Sequence, residues 1–559
     1  MFVCAVSCLS AAPGLRQLVD EAIARGESRV TIPPGEHRLD GPIRLSGLTD
    51  FTLDGPGATL VFTNLRDGGL LITDCAGLTL RGFTIDFDPL PFTQGTVEAI
   101  DPVAREVVFA LHDGYPDLAP HFLTGRAHVF SPETRSWKTS AADIYATKAE
   151  ALTPRRGVLR FSPGKSEEFG SFAVGDHVVL DHRHSRGVRL ERCRDVRVEG
   201  VTFWSAPSIA VLARFMGGKN VFSYKIQPGP VPKGGTQPRL LSVSADGLNY
   251  AYARTGPVIE GCDFSFMGDD GVNLHGIAFF VAKSEGNTAW ILRPYNEEAF
   301  ASIIEPGDEV HALAAESFGI TGRAKVASFA VEANPPEDFS ELAARTWRSV
   351  AVKGGRLTVY RLELTEPLAL AAGDFVEIPA IAAPGYVIRD NRFTHHRARS
   401  LRLMSPDGLV ENNMMEDIKH SAITLGAEFT FHREAGWVTD VTIRGNTIRR
   451  VGFDPALQRA SAYTPGAISV FHRGETPSAP LPESRHERLR IEDNLIEETG
   501  CPAIHINQAH DVRITGNRIR RTNLVSKPGA ASFYQLTTDQ PIGVDFSTEV
   551  VVAPDQITP

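Results

Sequence analysis

Apolar and polar residues alternate in a six-residue pattern that recurs along the chain. An aliphatic residue is followed by a polar one, then Gly, Asp or Asn, then often Asn, a variable residue and an apolar one. Copies begin at Leu80, Val198, Ile259, Ile388, Val410, Ile443, Ile491 and Ile514. The alternation is typical of a strand, and the Gly and Asn positions suit the left-handed turns that join short strands. Neighbouring copies lie 22 and 23 residues apart, and one gap of 48 holds two such periods. The repeat predicts an all-β fold, a right-handed parallel β-helix with one period per coil.

The asparagines of the repeat occupy equivalent positions in successive coils, so we expect them to stack as a ladder inside a turn. Their expected role is structural hydrogen bonding. They are Asn391, Asn413, Asn446, Asn494 and Asn517.

The amino-terminal region indicates a cap on the solenoid. The amphipathic stretch from Leu15 to Arg25, followed by the segment 30–35, predicts a helix that covers the open end, which such repeats require. Residues 1–14 are apolar and end in small residues, which resembles the end of a secretory signal without its basic start. This favours a secreted or periplasmic protein, and a simple tail is the alternative.

Two gaps between copies are too long for a coil, at 118 and 129 residues, and each predicts an inserted small β-barrel that walls a cleft. Both gaps end in short strands with Gly-Asp turns, at 173–180 and 371–378. The resulting division of the chain is a cap and first coils at 15–90, a barrel at 91–182, coils at 183–278, a second barrel at 279–382, coils at 383–525 and a tail at 526–559.

Composition narrows the class of partner. The net charge of −10 argues against nucleic acid or an anionic membrane, because both reward clustered Lys and Arg. No apolar run approaches the roughly 20 residues that span a bilayer. The six cysteines show neither a CxxC pair nor metal-ligand spacing, and the last four are predicted to be small core residues. A homo-oligomer is compatible with these features.

The most informative acids come together when the coils are registered. The segments 244–250 and 268–274 align with a spacing of 24 residues, which stacks Asp246 on Asp270 with Asp269 beside them. Neighbouring strands lie about 4.8 Å apart, so these carboxylates should titrate as a coupled set with at least one raised pKa. An inverting glycosidase needs such an acid and base. A calcium-binding or turn-forming acidic cluster is the alternative, although the flanking Gly, Leu and Val offer few oxygen ligands.

Other residues are predicted to bind substrate around these aspartates. The same register places Arg399 one coil beyond Asp270, where it either supports the carboxylates or forms a surface salt bridge. Asn273 and His275 alternate with inward-facing residues and should point outward. The segment 428–437 interrupts the coils with acids and aromatics, as a sugar-stacking loop would, or is a long packed loop. Its candidate binding residues are Glu428, Glu434 and Trp437.

Four stretches together resemble glycoside hydrolase family 110, the α-1,3-galactosidases of blood-group-B-type and linear glycans. They are the segments 84–95, 245–249, 269–276 (DDGVNLHG) and 397–399 ahead of 410–413, and the similarity covers residues 30–520. Gly247 and Gly271 stand where Ala would be expected, and Ser400 stands where Gly would be expected.

The resemblance implies an exo-acting, inverting enzyme without cofactor or metal that removes terminal α-1,3-linked galactose from a glycan. It implies catalysis by Asp246, Asp269 and Asp270. By the logic of polygalacturonases, Asp269 is assigned as general acid, and Asp246 and Asp270 activate water.

Two other readings remain open at this point. A polygalacturonase-like or other β-helix polysaccharide hydrolase would share the aspartates, but it needs a basic subsite, and the Gly-His-Gly and Arg-Ile-Lys motifs of polygalacturonases are absent from the sequence. A non-catalytic glycan-binding β-helix or adhesin would have no use for three converging carboxylates.

Overall fold

The computed structural model describes residues 14–558 apart from 294–297, 343–357, 428, 430–431, 455–465, 472–485 and 526–539. The leader expected at the amino terminus lies outside these residues except for Gly14. The chain forms a parallel β-helix with two inserted subdomains, so the predicted fold class is confirmed.

The solenoid begins with the predicted cap. Helix α1 (Leu15–Ala24) buries Leu15, Val19 and Ala22 against the first coil. The strands that follow are β1 (Arg29–Thr31), β2 (Gly35–Leu39), β3 (Ile43–Ser46), β4 (Thr52–Asp54), β5 (Ala58–Phe62), β6 (Leu70–Thr73), β7 (Thr79–Arg81) and β8 (Thr84–Phe87).

The first insertion is an antiparallel sheet of seven strands. These are β9 (Phe92–Asp101), β10 (Glu106–Leu111), β11 (Arg126–Phe130), β12 (Ile144–Tyr145), β13 (Lys148–Thr153), β14 (Arg156–Arg160) and β15 (His177–Asp181). A 3-10 turn (Pro163–Lys165) and the short helix α2 (Ser166–Gly170) lie before β15. The end strands β12 and β13 each pair with one neighbour, so this insertion is an open sheet rather than the closed barrel that was expected. The reason is local: β12 has only two residues, too few to close a ring.

The coils then resume and carry the aspartates. Their strands are β16 (Val188–Glu191), β17 (Arg197–Phe203), β18 (Val211–Arg214), β19 (Val221–Ile226), β20 (Leu248–Ala251), β21 (Val258–Glu260), β22 (Asp263–Ser265) and β23 (Val272–His275).

The second insertion closes into a six-stranded barrel, as predicted. Its strands are β24 (Ala278–Glu285), β25 (Thr288–Arg293), β26 (Glu309–Leu313), β27 (Ile320–Val331), β28 (Thr358–Leu364) and β29 (Phe375–Glu377), with 3-10 turns at Glu298–Ser302 and Pro379–Ile381.

The remaining coils run to the end of the described chain. Their strands are β30 (Val387–Arg389), β31 (Arg392–Thr394), β32 (Leu401–Met404), β33 (Gly408–Glu411), β34 (Met414–Ile418), β35 (Ile423–Leu425), β36 (Thr439–Arg444), β37 (Thr447–Val451), β38 (Ile468–Val470), β39 (His486–Glu492), β40 (Leu495–Glu497), β41 (Ile504–Asn507), β42 (Ala509–Thr515), β43 (Arg518–Arg520), β44 (Ile542–Asp545) and β45 (Thr548–Val552). The last two lie in the expected tail and extend the solenoid instead, because they pair in parallel with β41 and β42.

The solenoid strands stack into columns around one apolar core. One column is an eleven-stranded parallel sheet that includes β20, β23 and β32. The other two columns share a 21-stranded sheet, because β17 and β19 each bend across both. Along each strand, aliphatic and aromatic side chains alternate inward into the core.

The third position of the repeat has left-handed backbone in all eight copies, as its Gly, Asp and Asn residues predict. The φ angles lie between 55° and 77° at Gly82, Gly200, Gly261, Asp390, Asn412, Gly445, Asp493 and Gly516. Each of these residues turns the chain between two columns.

The asparagine ladder is confirmed. The side-chain oxygen of Asn446 accepts from the backbone and side-chain N–H groups of Asn413, at 3.0 and 2.9 Å, and its own amide donates to Asn494 at 2.9 Å. The ladder begins at Asn391 and continues through Asn517 to Gln556. The four described cysteines, at 75, 193, 262 and 501, are buried in the core as predicted. None of the described helices has the length and apolar character needed to cross a bilayer.

We expect Asn446→Ala to destabilise the protein by about 3 kcal/mol, because it leaves several buried ladder groups without partners. Chemical denaturation measures the change. The matched control is Arg444→Ala in the same turn, where the side chain is 52% exposed and its ion pair with Glu411 contributes less than about 1 kcal/mol. Equal losses in the two variants would contradict a structural role for the ladder.

Candidate active site

The predicted aspartates lie at the start of consecutive strands of the eleven-stranded sheet. Asp246 precedes β20 by two residues, Asp270 precedes β23 by two, and Arg399 precedes β32 by two. Backbone hydrogen bonds fix this register: Gly247 N–H donates to Asp270 O at 2.9 Å and Gly271 N–H donates to Arg399 O at 2.8 Å. The predicted stacking of these positions is confirmed.

The two glycines of the site allow neighbouring coils to approach closely. A Cβ at Gly247 would lie 2.6 Å from the Gly271 carbonyl oxygen, and one at Gly271 would lie 2.4 Å from the Ser400 carbonyl oxygen. These backbone atoms cannot move aside without breaking the ladder of the sheet. Glycine is therefore required at both positions where alanine was expected.

A cavity of about 550 Å³ lies over this row of strands. Asp246, Asp269 and Asp270, hereafter the aspartate trio, form part of its wall, and each offers an oxygen within 4.8 Å of the others. The first insertion contributes Tyr145, and the segment after β35 contributes His432 and Glu434. The first insertion therefore walls the cavity, as expected, whereas no described residue of the second barrel lines it, contrary to the prediction.

Asp269 is held by two arginines. Arg397 donates to Oδ1 at 2.8 Å, and Arg183 lies 2.8 Å from Oδ2. Burial would raise the pKa of Asp269, but the guanidinium groups of Arg397 and then Arg183 hold it well below its usual range. The side chain is nevertheless the most open of the trio, with 19% exposure against 3% for Asp270.

Asp246 has the opposite environment. Its side-chain partner is neutral, because Asn249 Nδ2 donates to Asp246 Oδ2 at 2.7 Å. Burial, and after it the charges of Asp269 and Asp270, raise the pKa of Asp246 to about 8. In the free site, this environment favours the protonated form of Asp246.

Asp270 is paired with Arg399, which donates its backbone N–H at 3.1 Å and its guanidinium at 2.8 Å. Burial raises the pKa of Asp270, and the charge of Arg399 opposes the rise. Arg399 is therefore a buried partner of the trio rather than a surface salt bridge.

A row of polar side chains lies three residues further along the same strands. Asn249, Asn273 and Arg402 stand in register and line the cavity. The Oδ1 atom of Asn273 has no hydrogen-bond partner among the described residues. Arg402 lies 2.8 Å from Glu434. Burial would raise the pKa of Glu434, but Arg402 and His275 lower it to about 2, so it stays an acceptor for hydroxyl groups.

Two residues that were predicted to bind substrate do not line the cavity, and a third lies outside the described residues. His275 is buried behind the cavity, where its Nε2 lies 3.6 Å from Glu434 and its Nδ1 meets the Gly276 carbonyl. Trp437 is buried against the second barrel and contacts His486, because the aromatics of this segment pack as a loop core. Glu428 lies outside the described residues.

Several cavity and network residues were not predicted. Arg397 and Lys419 each precede a strand of the site by four residues, so the coil register could have placed them in one row. Arg183, Asp143 and Tyr145 come from the first insertion and its return, where no repeat gives a register.

Among the residues that the structure describes, two groups of acids and histidines converge closely enough to bind a metal ion, but side-chain cations already compensate both. The first is the aspartate trio, with its three arginines. The second is Asp143, His420 and Asp454, where Lys419 Nζ lies 2.8 and 2.7 Å from the two carboxylates.

The chain is similar in sequence to proteins named α-1,3-galactosidase. The chain is 24% identical to α-1,3-galactosidase B of Bacteroides thetaiotaomicron over 510 residues, covering 86% of this chain and 75% of that protein. It is 23% identical to α-1,3-galactosidase A of Bacteroides fragilis, covering 92% and 82%. The resemblance to α-1,3-galactosidases is confirmed.

No protein-family model matches the chain. Among solved structures, it is similar to the family 28 exopolygalacturonase of Yersinia enterocolitica, with 14% identity, a TM-score of 0.39 and coverage of 93% and 72%. It is also similar to an exopolygalacturonase of Thermotoga maritima, with 13% identity, a TM-score of 0.33 and coverage of 89% and 86%.

Proposed function

We propose that this protein is an exo-acting, inverting α-1,3-galactosidase that uses the aspartate trio. The observation that carries the proposal is the trio itself, in which three carboxyl groups converge in one cavity, two of them bound by arginines and one beside a neutral amide. The likeness to named α-1,3-galactosidases supports the choice of substrate.

In this reaction a carboxyl donates its proton to the glycosidic oxygen as the C1–O bond breaks. A second carboxylate removes a proton from water, whose oxygen attacks C1 from the opposite face. The products are β-galactose and the remaining glycan, and the trio regains its single proton from the attacking water.

The spacing of the carboxylates does not by itself favour inversion. Oxygens within 4.8 Å are closer than the roughly 6.5–9.5 Å between the carboxyl groups of a two-carboxylate inverting enzyme. The proposal instead assigns the water to the stacked pair Asp246 and Asp270 and the acid role to Asp269, following the resemblance. The identity of the product anomer tests inversion directly.

The assignment of Asp269 as the acid conflicts with the positive charges that surround it. Asp269 is the most open of the three, which suits protonation of a leaving oxygen at the cavity mouth, but its arginines favour the ionised form. For Asp269 to act as the acid, the proton on Asp246 must pass to it once substrate is bound. Measurements of the trio variants on two leaving groups decide between Asp269 and Asp246.

A neutral sugar suits the cavity better than a uronic acid, because its arginines are already paired with protein carboxylates. The pairs are Arg183 and Arg397 with Asp269, Arg399 with Asp270, and Arg402 with Glu434. A polygalacturonase would need a cation available for the substrate carboxylate. This pairing disfavours the uronide reading.

The test is release of galactose from α-1,3-galactobiose and from a blood group B trisaccharide, followed by proton NMR from the first minutes. We expect β-galactose as the initial product, with no release by Asp246→Asn as the control. Initial α-galactose would overturn inversion. Release of a uronic acid or another sugar from a polysaccharide panel, with no galactose, would overturn the specificity.

A further inference from the structure

A carboxylate of the first insertion contacts basic side chains of the solenoid. Asp143, which immediately precedes β12, forms ion pairs with Arg397 and, at 2.8 Å, with Lys419 Nζ. Its side chain is only 12% exposed. The insertion thus contacts the coils through a buried charge, close to the aspartate trio.

Arg397 is shared between this carboxylate and the trio. One of its terminal nitrogens donates to Asp143 and the other donates to Asp269 Oδ1 at 2.8 Å, while Nε donates to the Gly268 carbonyl at 2.6 Å. Each of the three guanidinium nitrogens thus donates a hydrogen bond, and the one to Asp143 helps to hold the group against Asp269.

The chain of alternating charges continues away from the trio. Lys419 lies 2.7 Å from Asp454, and His420 Nε2 lies 3.0 Å from the same carboxylate. All three side chains are almost completely buried. Asp143 therefore compensates two buried cations, Arg397 and Lys419, whereas Asp454 is paired with Lys419 and His420.

We propose that Asp143 is a positioning residue that fixes Arg397 against Asp269 and sets the proton affinity of the aspartate trio. The inference rests on the proposed function for its kinetic readout. Without the Asp143 charge, the buried cations around the trio would be in excess. An excess of positive charge favours ionised carboxylates, so the trio would release its last proton at lower pH.

The charges that face the trio set the direction of this effect. The arginines are Arg126, Arg183, Arg397, Arg399 and Arg402, and the anions near them are Asp143, Asp181 and Glu434. Lys419 and Asp454 form a further buried pair next to Asp143, and His420 and His432 also line the cavity. Burial is the main cause that lowers the pKa of His128, beside Asp181, to about 4, so this histidine is neutral at neutral pH. Removal of Asp143 takes one anion from this set and leaves every cation in place.

The experiment compares Asp143→Asn with the charge-retaining Asp143→Glu. As the matched control, Asp308→Asn removes a buried carboxylate that pairs with Arg254 at 2.7 Å in the second barrel. The values of kcat and KM for α-1,3-galactobiose are measured across pH 5–10, together with thermal stability.

We expect Asp143→Asn to lower kcat by about 10- to 100-fold and to change KM much less, because Arg397 keeps its charge beside Asp269 but is held there less precisely. The alkaline limb of its pH profile should move down by about one unit. Asp143→Glu should keep the limb of the wild type, and Asp308→Asn should lose stability without moving it. An unchanged limb in Asp143→Asn, whatever its kcat, would overturn the proposal.

A readout without substrate separates this inference from the proposed function. The infrared band of the protonated carboxyl, identified by its loss in Asp246→Asn, is titrated in wild type and Asp143→Asn. A band that titrates at lower pH in Asp143→Asn supports the inference even if wild type releases no galactose, a result that would sink only the proposed function. An unmoved band contradicts the inference.

Discussion

We expect Asp269→Asn to lower kcat for α-1,3-galactobiose by about 1000-fold, the usual contribution of a general acid, and to keep the fold and galactose binding. The reason is that the leaving sugar needs a proton on the glycosidic oxygen, which an amide cannot supply in place of the acid. With α-galactosyl fluoride the leaving group needs no proton, so this variant should stay within about tenfold of wild type.

The other members of the trio provide the contrast. Asp246→Asn should lose turnover of both substrates, because water activation is required whatever the leaving group. If Asp246→Asn hydrolyses the fluoride and Asp269→Asn does not, the acid is Asp246, where the free site holds its proton. Full galactobiose turnover by Asp269→Asn would exclude it from the chemistry.

We expect kcat/KM for α-1,3-galactobiose to fall above about pH 8, because Asp246 then loses its proton. Burial and two neighbouring anions raise the pKa of Asp246 to about 8, so the one-proton state needed for acid and base together persists through neutral pH. This expectation holds whichever aspartate donates the proton, since the limb reports the proton count of the coupled set.

The matched control for the pH profile is again α-galactosyl fluoride, measured on the same enzyme over the same range. Its hydrolysis needs only an ionised base, so it should show no decline above pH 8. A galactobiose profile that is flat to pH 10, or equal declines for both substrates, would contradict a shared proton in the trio.

The sequence alone determined the features that depend on coil register. The left-handed third position, the asparagine ladder and the stacking of Asp246, Asp270 and Arg399 all follow from it, because equivalent positions of successive coils pair directly. Ile443 pairs directly with Ile491, so the 48-residue gap between them forms one coil and not the two periods that were predicted. In such a solenoid, the position within the repeat fixes the position in space.

Only the tertiary structure decided the surroundings of the trio. Arg183 and Asp143 reach the site from an insertion that has no repeat, so no spacing could place them beside Asp269 and Arg397. The burial of His275 was also decided by the tertiary structure. The alternation of the strand predicts that its side chain points outward, but the loop that contains Glu434 covers it. Register fixes which carboxylates meet and which arginines of the next coil lie beside them, but Arg183 and Asp143 come from segments outside the repeat, and packing alone brings them to the site.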